Sequence, residues 1–303
     1  MPKQERRVEY AEEIGGDFEF TDDDFNRIRG LIRSHAGINL GDNKRAMVYS
    51  RLGRRLRKLH ITAFKDYLDR MESGAEGELA AFINALTTNL TSFYREMHHF
   101  EMLRKFVKDG GLPADSTIWS AGCSTGEEAY SIAMVLATTP EWRAQVGQVV
   151  ASDIDTSVLG FAERGIYPVE RVKSVPPADL KRFFLGGVGE NAGLVKVRPE
   201  LRRFVAFRQV NLHDASWAVR APVKVIFCRN VMIYFDAQSR RRILERFGAL
   251  LDPGGLLFLG HAENVSDMGG VFRPLGRTAY ERIERRVAHH GEARARAAGG
   301  SDV

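Results

Sequence analysis

The sequence predicts an α/β fold: a doubly wound sheet that is preceded by a small all-helical domain and interrupted by an inserted antiparallel β-subdomain. Residues 117–136 (TIWSAGCSTGEEAYSIAMVL) have the pattern of a buried strand, a glycine turn and an amphipathic helix, which together begin such a sheet. Residues 17–87 carry four short helical patterns in succession. Residues 170–208 hold short alternating runs between glycines, which is typical of a meander or hairpin.

The composition is that of a soluble globular protein, with 44% hydrophobic and 27% charged residues in a chain of 303. No apolar run approaches the roughly 18 residues of a membrane span, and the first residues, MPKQERRVEYAEE, do not resemble a signal peptide. Cys123 and Cys228 lie at the ends of predicted strands, so we expect buried, reduced thiols in a cytoplasmic protein. The net charge of +5 hints at an acidic partner without identifying it.

The N-terminal part is predicted to form four helices. Thr21 is the expected N-cap of the first helix, and three acidic residues after it favour the positive end of the helix dipole. Gly37 is expected to end that helix. The other three are predicted from after Asp42 to about Leu59, at 63–72 and at 77–87.

The second of these helices has an unusual charge distribution. Between Asn43 and Lys65 there are eight Lys or Arg residues and no acidic residue. An apolar stripe occupies one face, and the opposite face carries Arg51, Arg54, Arg57 and Lys58, with Arg55 at the border. Such a helix could bind nucleic acid, an acidic membrane surface or an acidic partner helix, or it could present only a solvated charged face.

The turn at 117–136 departs from the dinucleotide-binding pattern. Gly122 and Gly126 allow close approach of a ligand, but Ser124 replaces the middle glycine. Glu127 and Glu128 lie in the first turn of the following helix, where a pyrophosphate would meet two negative charges. S-adenosylmethionine carries hydroxyls and a sulfonium instead of phosphate, so the turn favours a methyltransferase over a dehydrogenase.

Two acidic residues follow the second strand of the sheet, which is predicted at 148–152. A carboxylate at this strand tip binds ribose hydroxyls in nucleotide-binding folds, so Asp153 is expected to contact the ligand. Either acid could instead cap the helix predicted at 156–164, and we expect Asp155 to do so.

Three further strands are predicted at 223–228, 256–260 and 278–283, with a helix from Asp236 to about Leu251 between the first two. His98 and His99 begin a helix predicted at 96–108. Because they are adjacent, we expect them to point to different faces, as surface histidines rather than ligands of a shared metal. No metal site is predicted.

Five motifs follow one another at compatible distances: TTNLTSFYRE at 87–96, WSAGCSTGEEAYSIA at 119–133, ASDIDTSVL at 151–159, VNL at 210–212 and IFCRNVMIYFD at 226–236. Together they closely resemble the chemoreceptor glutamate O-methyltransferases, the CheR family of bacterial chemotaxis. The resemblance covers about residues 20 to 285. It implies a four-helix domain joined to a class I (Rossmann-like) S-adenosylmethionine methyltransferase domain with an inserted antiparallel β-subdomain.

The resulting domain boundaries are a disordered N-terminus at 1–16, a helical domain at 17–87, a linker at 88–97 that contributes to the active site, a methyltransferase domain at 98–286 with its insertion at about 170–208, and a disordered tail at 287–303. The resemblance implies methyl transfer from S-adenosylmethionine to glutamate side chains of chemoreceptors. The products would be glutamyl methyl esters and S-adenosylhomocysteine, and the esters would serve sensory adaptation.

The resemblance also implies roles for individual residues. Arg95 and Tyr234 would lie nearest the transferred methyl group. The donor would be bound by Asn89, Thr91, Arg95, Gly122, Glu128, Asp153, Asn211, Leu212, Arg229 and Asn230. A glutamate carboxylate is ionised at neutral pH, with a pKa of about 4.3, so the reaction needs no general base. We therefore expect Arg95 to position the carboxylate, and alignment and exclusion of water to provide the catalysis.

The expected partners are the cytoplasmic signalling helices of chemoreceptors, which are acidic where their glutamates are unmodified. Arg51, Arg54, Arg55, Arg57 and Lys58 would face them. In this family the β-subdomain can also bind a receptor's C-terminal peptide as an added edge strand, and Gly187 and Gly189 match the turn that accompanies this. We expect a cytoplasmic monomer, without direct membrane insertion.

Three alternatives are weaker. The basic helix could dock nucleic acid on a methyltransferase, but no aromatic stacking residues are interleaved with its charges. The chain could bind the donor or its product without catalysis, as a sensor or scaffold, although the intact motifs favour activity. An oxidoreductase that uses NAD is disfavoured by Ser124 and the acidic pair.

Overall fold

The computed structural model describes residues 17–74, 77–142, 148–219, 221–265, 268 and 270–284. The segments predicted to be disordered, 1–16 and 287–303, lie outside these described residues. Among the helices of the described part, none combines the length and the apolar character that a membrane crossing requires.

The N-terminal helices form as predicted. Thr21 and Asp24 make a reciprocal capping box at the start of the first helix, where Thr21 Oγ1 accepts from the Asp24 N–H at 3.1 Å. Gly37, with φ of +70°, ends that helix. The four helices are α1 (Asp22–Ala36), α2 (Arg45–Leu59, after a 3-10 turn at Asp42–Lys44), α3 (Phe64–Glu72) and α4 (Glu78–Leu86).

Part of the basic face of α2 is engaged within the protein. Arg55 makes two hydrogen bonds to the buried carboxylate of Glu78, at 2.9 and 2.6 Å, and the Tyr67 hydroxyl donates to the same carboxylate at 2.8 Å. Arg51 Nη1 donates to the backbone oxygen of Thr87 at 2.5 Å.

Arg57 pairs with Asp17 at 2.9 Å. Arg54 and Lys58 are exposed, and neither has an ion pair or hydrogen bond within the described ranges. Therefore only these two basic residues of the predicted set are fully available to a partner.

The second part of the chain is built on a seven-stranded sheet of order β6-β2-β1-β7-β8-β10-β9. The first five strands in this order run parallel, and β10 is antiparallel to both of its neighbours. The strands are β1 (Thr117–Ala121), β2 (Val149–Asp153), β6 (Val205–Gln209), β7 (Val223–Cys228), β8 (Leu251–Leu259), β9 (Phe272–Gly276) and β10 (Ala279–Arg282).

Helices cover both faces of this sheet, as the near-continuous apolar strands require. Ile118 packs into the core on one face and its neighbour Trp119 into the core on the other. The main helices are α5 (His98–Lys108), α6 (Glu127–Ala137), α7 (Thr156–Arg164) and α10 (Ala237–Leu250). Cys123 and Cys228 are buried free thiols, as predicted.

A separate three-stranded antiparallel sheet of order β3-β5-β4 is inserted after α7. It consists of β3 (Ile166–Pro168), β4 (Phe184–Gly186) and β5 (Leu194–Val197), with the short helices α8 (Pro177–Phe183) and α9 (Pro199–Arg202). The insertion predicted at 170–208 has the wrong bounds. The inserted sheet already begins with β3 at Ile166, and its last strand, β5, ends at Val197. Val205–Gln209 is β6, an edge strand of the main sheet, because a short alternating run fits the half-buried edge of either sheet.

Strand β9 was missed by the sequence analysis. Its sequence contains Pro274, which argues against a central strand, but β9 lies at the edge of the sheet, where a missing N–H is tolerated. Strand β8 also begins earlier than predicted, at Leu251, with a register shift against β7 between Val223 and Val225.

The ion pair of Arg55 and Glu78 generates a stability prediction. Arg55→Ala should lower the free energy of unfolding by about 3 kcal/mol, because Glu78 would stay buried without its cationic partner. Arg54→Ala, on the exposed face of the same helix, is the matched control and should change it by less than about 0.5 kcal/mol. Urea unfolding followed by circular dichroism measures both; equally small effects would contradict the prediction.

Candidate active site

A cavity of about 330 Å³ lies at the carboxyl ends of β1, β2 and β7. The chain order reverses between β1 and β7, and this switch point is where ligands bind in open α/β sheets. The walls come from three parts of the chain: loops of the main sheet, the linker after α4, and the helical domain around Ile38 and Met47.

The cavity brings together all of the predicted donor-binding and catalytic residues. These are Asn89, Thr91, Arg95, Gly122, Glu128, Asp153, Asn211, Leu212, Arg229, Asn230 and Tyr234. The predicted partner-binding residues lie elsewhere: Arg51, Arg54, Arg55 and Lys58 line a separate depression on the helical domain. Gly187 and Gly189, in the connection between β4 and β5, are not among the residues that line the cavity or the depression.

The turn after β1 is closely packed against the loop after β7. Gly122 has a φ of +84°, and a Cβ added there would lie 2.4 Å from Val231 Cγ2. Only glycine satisfies both conditions at this position. Ser124, which replaces the middle glycine of the dinucleotide pattern, takes a φ of +51° and donates from Oγ to the Asn89 oxygen at 3.0 Å.

The two acids at the start of α6 point in different directions. Glu128 faces the cavity, where it accepts from Ser120 Oγ at 2.7 Å and from Arg229 Nη1 at 3.2 Å. Burial raises the pKa of Glu128, and these two partners oppose the rise. Glu127 turns away, pairing with Arg171 at 2.7 Å and accepting from Thr125 Oγ1 at 2.6 Å. Only the second acid can therefore meet a ligand.

The two acids after β2 divide their roles. Asp153 accepts from the backbone N–H groups of Ser124 at 2.9 Å and Asp155 at 3.0 Å, while burial raises its pKa to about 6. Asp155 caps α7, as predicted. Its other oxygen accepts from Thr87 Oγ1 at 2.6 Å and Asn89 Nδ2 at 2.8 Å, which ties the linker to the sheet.

The linker is held in an unusual backbone conformation around Arg95. Tyr94 and Glu96, on either side of it, have φ of +54° and +57°, a region that few non-glycine residues occupy. Arg95 donates to the Leu90 oxygen at 3.0 Å and has no carboxylate partner in the described part of the chain. Burial raises the pKa of Tyr234, which also lines the cavity, so its hydroxyl remains a hydrogen-bond donor.

Arg229 joins three parts of the site. It is buried, it pairs with Glu128 and with Glu96 at 3.3 Å, and it donates to the backbone oxygen of Arg95. The next residue, Asn230, has a φ of +60°, and its Oδ1 is buried without a hydrogen-bond partner in the described ranges. This unsatisfied acceptor can receive a donor group of a ligand.

The sequence analysis missed Glu263, which holds the loop after β7. Its buried carboxylate accepts from the N–H groups of Gly260 at 2.6 Å, Met232 at 2.7 Å and Asn230 at 2.9 Å. Glu263 belongs to none of the motifs, and its only sequence signal is an acidic residue just after a predicted buried strand.

The contribution of the helical domain was also missed. Ile38 forms an isolated antiparallel β-bridge with Phe235, and the Asn39 N–H donates to the Tyr234 backbone oxygen at 2.7 Å. Asn211 Nδ2 donates to the His35 backbone oxygen at 2.7 Å. Eight residues of this domain line the cavity: Ala36, Ile38, Asn39, Leu40, Lys44, Met47, Leu86 and Thr87. These segments are far from Phe235 in the sequence, so no local pattern could indicate the contact.

The expectation of two surface histidines with diverging side chains is wrong. His99 is fully buried, and the rings of His98 and His99 lie 4.1 Å apart between centroids. Both rings approach the Arg277 oxygen with Nε2, at 3.2 and 2.8 Å. The loop between β9 and β10 supplies this shared acceptor and draws the two side chains to one side.

Comparison with known protein families shows to which family the chain belongs. Residues 89–280 match the CheR methyltransferase SAM binding domain, and residues 23–87 match the CheR methyltransferase all-alpha domain. The chain belongs to the CheR methyltransferase family. The resemblance inferred from the five motifs is thereby confirmed, as is the fold class.

Several curated CheR relatives are similar along most of their length. The chain is 51% identical to the chemotaxis protein methyltransferase of Klebsiella aerogenes, over 86% of this chain and 89% of the relative. It is 49% identical to that of Escherichia coli, over 86% and 91%. It is 46% identical to chemotaxis protein methyltransferase 2 of Pseudomonas aeruginosa, over 87% and 94%.

Glu263 generates the prediction for this site. Glu263→Ala should destabilise the protein by about 3 kcal/mol or more, because two buried N–H groups and one partly buried N–H group would lose their acceptor at about 1–3 kcal/mol each. Glu245→Ala removes an exposed carboxylate paired with Arg241 and serves as control, with a change under about 0.5 kcal/mol. Chemical unfolding measures both, and a Glu263 effect as small as the control's would refute the assignment.

Proposed function

We propose that the chain transfers the methyl group of S-adenosylmethionine to glutamate side-chain carboxylates of chemoreceptors, giving glutamyl methyl esters. The names of its CheR relatives support a role in chemotaxis. The observation that carries the carboxylate specificity is the guanidinium of Arg95, which lines the cavity without a carboxylate partner in the described residues. A bound carboxylate would supply that partner.

The residues around the cavity fit the donor. Asp153 lines the cavity at the tip of β2 and would accept from the ribose hydroxyls, as acids at this strand tip do. Glu128 and the unsatisfied Asn230 Oδ1 offer acceptors to its ammonium group, and Arg229 orients Glu128. Leu212 and Asn211 would flank the adenine, while Asn89, Thr91 and Gly122 close the remaining wall.

The chemistry needs positioning rather than proton transfer. S-adenosylmethionine supplies a methyl group on a sulfonium; a carboxylate oxygen forms the new C–O bond as the C–S bond breaks, so an anion and a cation yield a neutral ester and a neutral thioether. A glutamate is already ionised at neutral pH, so no general base is required. Arg95 orients the carboxylate, and the Tyr234 hydroxyl can donate a hydrogen bond beside it.

Receptor docking would use the exposed charges of α2. Arg54 and Lys58 are exposed beside the depression that Arg51 and Arg55 also line, and an acidic helix of a receptor's cytoplasmic region would complement them. The inserted sheet offers a second contact for a receptor's C-terminal peptide, because β4 is an edge strand of order β3-β5-β4. Gly189, with φ of +59°, follows the exposed Val188 in the adjoining turn.

Methyl-labelled S-adenosylmethionine and receptor-bearing membranes test the acceptor. We expect label on the receptor that base releases as volatile methanol, which is diagnostic of carboxyl methyl esters. Arg54→Glu with Lys58→Glu should lower receptor methylation at least about tenfold, as expected when complementary charges become repulsive, without changing the dissociation constant for S-adenosylhomocysteine. Stable label, or equal loss of methylation and donor binding, would contradict the proposal.

Donor binding should depend on pH through Asp153. Its pKa of about 6 in the free protein lies above the ordinary aspartate value, so the carboxylate becomes protonated as pH falls below 6. If the ionised form accepts the ribose hydroxyls, affinity for S-adenosylhomocysteine should be about tenfold weaker at pH 5 than at pH 7. Isothermal titration calorimetry measures this, with circular dichroism confirming the fold at both pH values.

Asp153→Asn is the matched variant for this titration. It should bind more weakly at pH 7 and lose the dependence on pH in this range, because its amide does not ionise. A wild-type affinity that stays constant from pH 7 to pH 5 would exclude Asp153 as the pH-dependent ligand.

A further inference from the structure

Three potential metal ligands lie close together where the linker meets the start of α5. Glu96, His98 and His99 each offer one ligand atom, and these atoms lie within 4.8 Å of one another. His261 stands at the outer edge of the group, with Nε2 at 3.7 Å from Glu96 Oε1. The methyl transfer proposed above uses none of these four side chains.

Glu96 and His99, the members of this cluster with buried side chains, have hydrogen-bond acceptor atoms that receive no hydrogen bond from the described residues. Both carboxylate oxygens of Glu96 and Nδ1 of His99 are buried and lack hydrogen-bond partners within the described part of the chain. A carbonyl oxygen can only accept, so the 2.8 Å contact with Arg277 places the ring proton of His99 on Nε2. The lone pair of Nδ1 is therefore left beside Glu96 Oε2, at 3.5 Å.

The carboxylate of Glu96 shares its guanidinium partner, Arg229, with a second carboxylate. Arg229 is the guanidinium that contacts Glu96, but it also pairs with Glu128, and its hydrogen bonds go to Glu128 and to the Arg95 oxygen. Within the part of the chain that the structure describes, one guanidinium thus pairs with two buried carboxylates. A buried carboxylate with neither a hydrogen bond nor its own counter-charge is costly, which a bound cation would relieve.

We propose that Glu96, His98 and His99 bind one divalent transition-metal ion, with His261 completing the set and Zn²⁺ the best match. In tetrahedral zinc with bonds of about 2.0–2.1 Å, neighbouring ligand atoms lie about 3.3 Å apart, close to the spacing of His99 Nδ1 and Glu96 Oε2. Metal-bound histidines commonly donate their other N–H to a backbone carbonyl, and Arg277 offers that acceptor to both rings.

The site would have a structural role. Glu96 directly follows Arg95 and belongs to the linker, His98 and His99 begin α5, and His261 follows β8. A metal at this junction would hold the linker against the sheet and stabilise the left-handed backbone of Glu96. It would take no part in the methyl transfer itself.

The test is binding of Co²⁺ to the full chain, because tetrahedral Co²⁺ absorbs visible light far more strongly than the hydrated ion. His289 and His290, near the end of the chain, are replaced by Ala in every sample to remove another possible ligand pair. We expect one Co²⁺ per chain with a tetrahedral spectrum, displaced by Zn²⁺, and a higher melting temperature with Zn²⁺.

Substitutions in the cluster identify the ligands. His98→Ala and Glu96→Gln should each weaken Co²⁺ binding at least about tenfold, whereas His35→Ala, at an exposed histidine in α1, should not change it. Melting curves without metal show whether each variant is folded. If Glu96→Gln fails to fold, His98→Ala, with His261→Ala, still decides the question. Absence of binding, an octahedral spectrum, or affinity unaffected by His98→Ala would overturn the proposal.

Discussion

The buried guanidinium of Arg229 is the contact on which the site depends. From the end of β7 it reaches Glu128 at the start of α6, Glu96 in the linker and the backbone oxygen of Arg95. A buried charge is tolerated only when it is paired and hydrogen-bonded, so these three segments must assemble together. The orientation of Glu128 towards the cavity and the path of the linker past Arg95 are consequences of the same side chain.

The second requirement is that the two domains meet. Asp155 caps α7 and also binds Thr87 and Asn89, so the start of the linker is attached to the sheet. The helical domain also contacts the segment after β7, where Ile38 forms an isolated β-bridge with Phe235. Residues of the helical domain thereby close a cavity that the sheet alone would leave open, which matters for a reaction that depends on alignment and exclusion of water.

Prediction from sequence succeeded where the signal is local. The strand at 223–228 was predicted with its observed bounds, because a strand buried on both faces is a continuous apolar run. Thr21 and Gly37 were identified as caps because capping depends on residues within one turn. Edge strands were harder: β6 was assigned to the wrong sheet and β9 was missed, since half-buried strands carry weak patterns and tolerate proline.

The sequence by itself determined the family, the fold class and the motif residues that line the cavity, but not the residues of the helical domain that complete its wall. Only the tertiary structure decided how individual charges are used. Glu127 and Glu128 are alike in local pattern, and the family resemblance singled out Glu128. The structure adds that Glu127 pairs with Arg171 while Glu128 faces the cavity. Arg55 is paired with Glu78 while Arg54 stays exposed. The backbone oxygen of Arg277 contacts both His98 and His99. Each outcome depends on a partner that is distant in the sequence, and local pattern carries no information about such partners.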